Sequence, residues 1–80
     1  MTIELLSIIN KVTTDQITIK VNIVCDDPEF EIIKEYRFSK NDDLSLQNIK
    51  TIVSEDAYKI KDLKEASIDL VPHINQVIEI

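Results

Sequence analysis

Apolar and polar residues alternate through the segment that runs from position 17 to position 25. Side chains two residues apart point to the same face of a strand, so this period predicts a strand with one buried face. The inward-facing residues are Ile17, Ile19, Val21, Ile23 and Cys25. Cys25 ends the series and is therefore expected to be a small core residue.

A second alternation follows a polar turn at positions 26–29. It places one set of side chains on the core side, namely Phe30, Ile32, Tyr36 and Phe38, and the charged residues Glu31, Glu35 and Arg37 on the other. The two segments predict an antiparallel hairpin. Because the aromatic residues share the parity of the core, stacking on nucleic-acid bases is not favoured.

The amino-terminal segment fits two structures. Leu5, Ile8, Ile9 and Val12 have helical spacing, whereas the β-branched content and the polar turn at positions 13–16 fit a bulged strand. We favour a strand, because its apolar residues point to both sides, as in a strand that is covered on two faces. The hairpin then becomes a meander of three strands.

A helix is expected after the polar stretch at positions 39–43, with Asp43 or Ser45 accepting from its first free amides. Its apolar stripe contains Leu46, Ile49, Ile52 or Val53, and Ala57. Lys50 is expected on the opposite, solvated side. Positions 59–66 fit a loop, a strand or more helix, and the three alternatives stay open.

Two short strands are predicted at positions 67–71 and 75–80, separated by the sequence Pro72-His73-Ile74. The predicted fold is a single α+β domain over residues 1–80. A small antiparallel sheet of four to five strands, in the order β-β-β-α-β-β, packs against one helix. The chain contains no glycine, so turns at positive φ must use Asn or Asp. Connections near Asp15, at positions 26–27 and at positions 41–42 are expected to be longer than tight turns.

Charge limits the classes of partner. The chain has 15 acidic and 9 basic residues and a net charge of −6, so its field repels phosphates and anionic lipids. Direct binding to nucleic acid or to a membrane is not expected, whereas an acidic surface suits a basic protein partner.

The single cysteine and the absence of a leader-like segment predict a soluble cytoplasmic protein. The fifteen isoleucines are typical of an AT-rich genome, as in low-GC bacteria and their phages.

The missing residue types exclude several chemistries. Without glycine the chain lacks the P-loop, the dinucleotide fingerprint and the nucleophile elbow. Cys25 and His73 are the only soft or borderline metal ligands, which is too few for a structural zinc site, and positions 26–31 do not match a calcium loop. A Cys25–His73 nucleophile pair is disfavoured because Cys25 fits the core. The sequence predicts no enzymatic activity, cofactor or metal.

Two functions remain, and both involve another protein chain. In the first, the protein is a non-enzymatic interaction or assembly module, as in a homo-oligomeric phage or bacterial component, and binds through surplus apolar residues. Those residues are Leu6, Ile8, Val77 and Ile80. The alternative is a small acidic inhibitor or adaptor that mimics phosphates and blocks a basic nucleic-acid-binding protein. Its acidic end comprises Asp26, Asp27, Glu29, Glu31 and Glu35.

Overall fold

The computed structural model describes residues 1–79, including all their side chains except those of residues 11 and 12. Three strands and one long helix follow one another along the chain. They are β1 (Thr2–Lys11), β2 (Gln16–Asp26), β3 (Glu29–Ser39) and α1 (Leu46–Leu70). Single turns of 3-10 helix occupy Val12–Thr14 and Val71–His73.

The strands form an antiparallel meander in which β2 lies between β1 and β3. The register of β2 and β3 is continuous from the Asp26–Glu29 pair to the Gln16–Ser39 pair, which confirms the predicted hairpin. The amino-terminal segment is a strand and not a helix, and its register with β2 shifts between Leu5 and Ser7. Both β1 and β3 are edge strands.

The core lies between the sheet and α1. Ile19, Val21, Ile23 and Cys25 of the inward-facing series of β2 are buried as predicted, whereas Ile17 is half-buried. Phe38 of β3 is also buried. Val53 and Ala57 are the buried residues of α1. Within the described residues, this buried cluster and the side chains packed against it come from β2, β3 and α1, and none comes from β1. The helix therefore covers two of the three strands.

The prediction of strands after the helix is wrong. α1 continues through positions 59–66 and ends only at Leu70, and residues 74–79 are not in a strand; Ile80 lies outside the described residues. No glycine or proline stands between Leu46 and Val71 to end the helix, and the Lys, Glu, Ala and Leu residues of positions 59–66 favour it. The sheet accordingly has three strands, not four to five, and the order is β-β-β-α.

Two residues have positive φ among those that the structure describes: Asp15 at 53° and Asn75 at 70°. Both are of the types expected in the absence of glycine. The β2–β3 connection is shorter than predicted, because only Asp27 and Pro28, joined by a cis peptide bond, separate the strands. Neither of these two residues has a positive φ, so this tight turn does not require glycine.

Candidate interaction surface

The two edges of the sheet differ in character. Among the described residues, no strand pairs with the outer edge of β1. Half of its ten residues are large and apolar, and all of these are exposed: Ile3, Leu5, Leu6, Ile8 and Ile9. In contrast, β3 contains the charged residues Glu29, Glu31, Lys34, Glu35 and Arg37. Charged side chains on an edge strand discourage pairing with another chain. The outer edge of β1 is therefore the edge that is suited to such pairing.

An apolar groove of about 580 Å³ separates β1 from the amino-terminal half of α1. Leu5 and Ile8 line it from β1, where they stand opposite Val21 and Ile19 of β2 in the register. Ile19 and Val21 line it too, together with the apolar residues Met1, Ile3, Leu44, Leu46, Ile49 and Val53. The groove and the free edge thus belong to the same strand.

Two residues of α1 differ from their predicted positions. Leu46, which the helical stripe placed in the core, is 77 % exposed and lines the groove. Lys50 is exposed, as expected of the solvated side, yet it also lines the groove. Both differences reflect the position of α1, which packs on β2 and β3 and not on β1. The first turns of the helix therefore border the groove.

Polar contacts between β3 and α1 accompany this placement of the helix. The Lys34 ammonium donates to Asp56 Oδ2 at 2.6 Å, and the Tyr36 hydroxyl donates to the same oxygen. Lys34 pairs with Val21 and Tyr36 pairs with Ile19, so they flank β2 on the side opposite to Leu5 and Ile8. Asp56 therefore joins the helix to β3, and the groove lies on the other side of β2, next to β1.

Electrostatics agree with this geometry. Hydrogen bonds from Lys34 and then from Tyr36 lower the pKa of Asp56 below its usual range. Burial, reinforced by the bond to Asp56, raises the pKa of Tyr36. The Lys34 ammonium also lies 5.6 Å from the centroid of the Tyr36 ring. Sequence reasoning missed this contact, although Lys34 shares the parity of the core-facing residues of β3 and Asp56 stands three positions after Val53 on the helix.

The acidic residues singled out in the sequence are all exposed, but they do not form one cluster. Asp26, Asp27 and Glu29 lie at the hairpin end, whereas Glu35 stands about 20 Å further along β3. The structure adds Glu65 and Asp69, two residues of α1 that line a shallow depression together with Asp27 and Pro28. Sequence reasoning missed these two residues because their proximity to the hairpin depends on how far the helix extends.

The four apolar candidates also separate. Ile8 lines the groove. Leu6 lies on β1 at the register shift and is exposed, whereas Val77 belongs to the exposed segment of residues 74–79, here called the C-terminal segment. Ile80 lies outside the described residues. The structure thus divides the predicted apolar surface between the β1 region and the C-terminal segment.

The two candidate nucleophile residues lie in different surroundings. Cys25 is buried in the core, whereas His73 is exposed in the turn after α1, with its Nδ1 at hydrogen-bond distance from the side-chain oxygen of Gln76.

In residues 1–79, no three His, Cys, Asp or Glu side chains come together as metal ligands would. Within the same residues, α1 and the two short helices lack the length and apolar character that crossing a membrane requires.

No protein family, curated protein or solved structure matches this chain. The molecule presents two candidate surfaces, the β1 edge with its groove and the acidic hairpin end with α1.

Proposed function

We propose that the protein is a non-enzymatic interaction and assembly module that binds another protein chain along the outer edge of β1 and in the adjoining groove. One observation carries the proposal: a free strand edge that is rich in apolar residues borders an apolar groove of about 580 Å³ on the same strand. An extended chain added to a sheet edge gains backbone hydrogen bonds, and its alternate side chains enter a neighbouring groove. This arrangement supplies affinity and selectivity together.

The substitution Leu46→Asp tests the groove. Leu46 is the first residue of α1 and is highly exposed, and an acidic residue in the first turn interacts favourably with the helix dipole, so the fold is retained. The new charge lies in the groove and must be desolvated when an apolar chain binds there. Leu63→Asp is the matched control, because Leu63 is also an exposed leucine of α1 but does not line the groove.

The measurement compares the wild type with both variants, by light scattering for self-association and by quantitative recovery of cross-linked partners from host cells. We expect the wild type and Leu63→Asp to bind equally, and Leu46→Asp to bind at least about tenfold more weakly. Equal binding by all three proteins, or a wild type that binds neither itself nor any other chain, would contradict the proposal.

A second candidate function is that of an acidic adaptor or inhibitor that binds a basic protein in place of phosphates. The proximity of Glu65 and Asp69 to Asp27 supports it, because it concentrates negative charge at the hairpin end. Binding at this surface should weaken steeply between roughly 0.05 and 0.5 M salt, as the Debye length falls from about 14 to about 4 Å. Glu65→Gln with Asp69→Asn should weaken it as well, whereas Leu46→Asp should leave it unchanged. A partner affinity that is insensitive to salt would contradict this candidate.

A further inference from the structure

The chain exposes more surface than a compact monomer of its size. Its accessible area is 6381 Å², whereas a folded protein of 9.2 kDa exposes about 4,900 Å². The excess of about 1,500 Å² is larger than the roughly 800 Å² that each partner buries in an interface of standard size. The radius of gyration is 16.9 Å, against about 12 Å for a compact chain of 80 residues. One chain thus has enough uncovered surface for a stable dimer.

Much of the exposed apolar surface lies in two places. One is the groove beside β1. The other is the C-terminal segment, in which Val77 is 84 % and Ile78 is 80 % exposed. The segment begins with a turn at Ile74 and Asn75, in which the Gln76 amide donates to the His73 carbonyl at 3.0 Å, and continues through residues 76–79. Its β-branched residues favour strand pairing, yet residues 74–79 are not in a strand of the monomer. The outer edge of β1 is therefore unpaired, and the C-terminal segment contains residues that are suited to pairing with it.

Residues 71–79 cannot reach the whole length of the groove of their own chain. Leu46 lines the groove, and the α1 helix places Leu70 about 36 Å away from it. The residues that follow α1, at positions 71–79, span at most about 26 Å. The Leu46 end of the groove is therefore out of reach. A second copy related by a twofold axis is free of this limit, because its helix can approach from the opposite direction.

The charges also fit the binding of the C-terminal segment of a second copy in the groove. Among the described residues, Lys50 is the charged residue that lines the groove, and Glu79 is the charged residue of the C-terminal segment. The large apolar residues of the segment are Ile74, Val77 and Ile78, and its other uncharged residues are Asn75 and Gln76. The net charge of −6 on each copy opposes association, so the apolar contact must provide the affinity.

We infer that the partner is a second copy of this chain, and that the C-terminal segment of each copy lies along β1 in the groove of the other. The inference rests on the proposed function and names the partner of the same surface. It describes a reciprocal dimer in which two equivalent contacts join the groove of one copy to the segment of the other.

Variants of the full chain test each half of this contact. Leu46→Asp charges the groove, Val77→Asp with Ile78→Asp charges the segment, and Leu63→Asp is the control. We expect the wild type and the control to be dimers by light scattering and sedimentation. The groove variant and the segment variant should dissociate at least about 100-fold more readily, with circular dichroism spectra like that of the wild type.

Mixing the two defective variants identifies the geometry. Neither homodimer has an intact contact, but a mixed dimer pairs the intact groove of the segment variant with the intact segment of the groove variant. We therefore expect an equimolar mixture to form heterodimers at concentrations at which each variant alone is monomeric. Isotope labelling of one variant distinguishes the heterodimer by native mass spectrometry.

Three results would overturn the inference. A wild type that stays monomeric at every concentration would do so, and would leave the proposed function intact if another protein still binds and Leu46→Asp abolishes that binding. A dimer that is unaffected by the segment substitutions would instead indicate pairing of β1 with β1. A mixture that remains monomeric would exclude the reciprocal contact.

Discussion

Asp56 accepts hydrogen bonds from two residues of β3 and so joins α1 to that edge of the sheet. At the level of Val21, the central strand is flanked by Lys34 on one side and by Leu5 on the other. The helix is tied to the first of these and leaves the second exposed. One carboxylate thus contributes both to the stability of the fold and to the opening of the groove.

The pH dependence of stability should therefore depend on Asp56. Its pKa is lowered in the folded state, so the stabilisation is present above the ordinary value of about 3.9 and is lost as the pH falls through the folded-state value. We expect Asp56→Asn to lower the free energy of unfolding by about 1 kcal/mol at pH 7, since the Lys34–Asp56 pair is about one-third exposed. The loss should be much smaller in acid, where Asp56 of the wild type is protonated. Urea denaturation at pH 7 and in acid measures this difference.

The control for this prediction is Asp62→Asn. Asp62 is an exposed carboxylate on the same helix, and its substitution should leave stability nearly unchanged at either pH. If Asp56→Asn cost the same amount of stability at pH 7 as in acid, the ionised carboxylate would not be the source of the stabilisation.

At the scale of elements, the sequence predicted the β2–β3 hairpin from two alternating runs, and β1 from its β-branched residues and the polar turn that follows it. The alternation in β2 extends over nine residues, which is enough to separate period two from the helical period. The run at positions 67–71 has only five residues and fits both periods. Helix-forming residues before it and the lack of a stop signal decide in favour of α1.

The groove was not predictable in the same way. Sequence periodicity indicates which face of α1 is apolar, but it does not indicate where the helix lies across the sheet. That position depends on contacts between residues distant in the chain, among them those of Asp56 with residues at least twenty positions earlier and those of the apolar core. The surplus of apolar residues in the first strand was visible in the sequence, whereas the cavity that they line required the packed structure.

The end of α1 can be tested with a pair of serine-to-alanine substitutions. Ser67 lies in the helix interior and is exposed, so Ser67→Ala should stabilise the protein by about 0.5 kcal/mol through higher helix propensity. Ser45 caps the helix, with its Oγ accepting from the backbone amide of Asn48 at 3.3 Å, so Ser45→Ala should destabilise it by about 1 kcal/mol. Urea denaturation at one protein concentration compares the two. Destabilisation by Ser67→Ala would instead indicate that positions 67–71 are a strand, because alanine is depleted in strands.

At the scale of the whole molecule, an 80-residue chain of maximal dimensions 53 × 29 × 17 Å leaves much apolar surface in water. A single core built from β2, β3 and α1 provides limited stability in a domain of this size. Association would bury the groove and the C-terminal segment in one step. Folding and assembly should then be linked, because the dimer is favoured only when the groove and the helix are already formed.

This linkage predicts that thermal stability rises with protein concentration. If the native state is a dimer and the unfolded state is a monomer, each tenfold increase in concentration should raise the Tm of the wild type by roughly 5 °C. Leu63→Asp should show the same slope, whereas Leu46→Asp should show none, because it removes the association but keeps the helix start. The slope should hardly change between low and high salt, since the stoichiometry and the enthalpy of unfolding determine it. A wild-type Tm that is independent of concentration over several decades would mean that the uncovered surface binds a different protein.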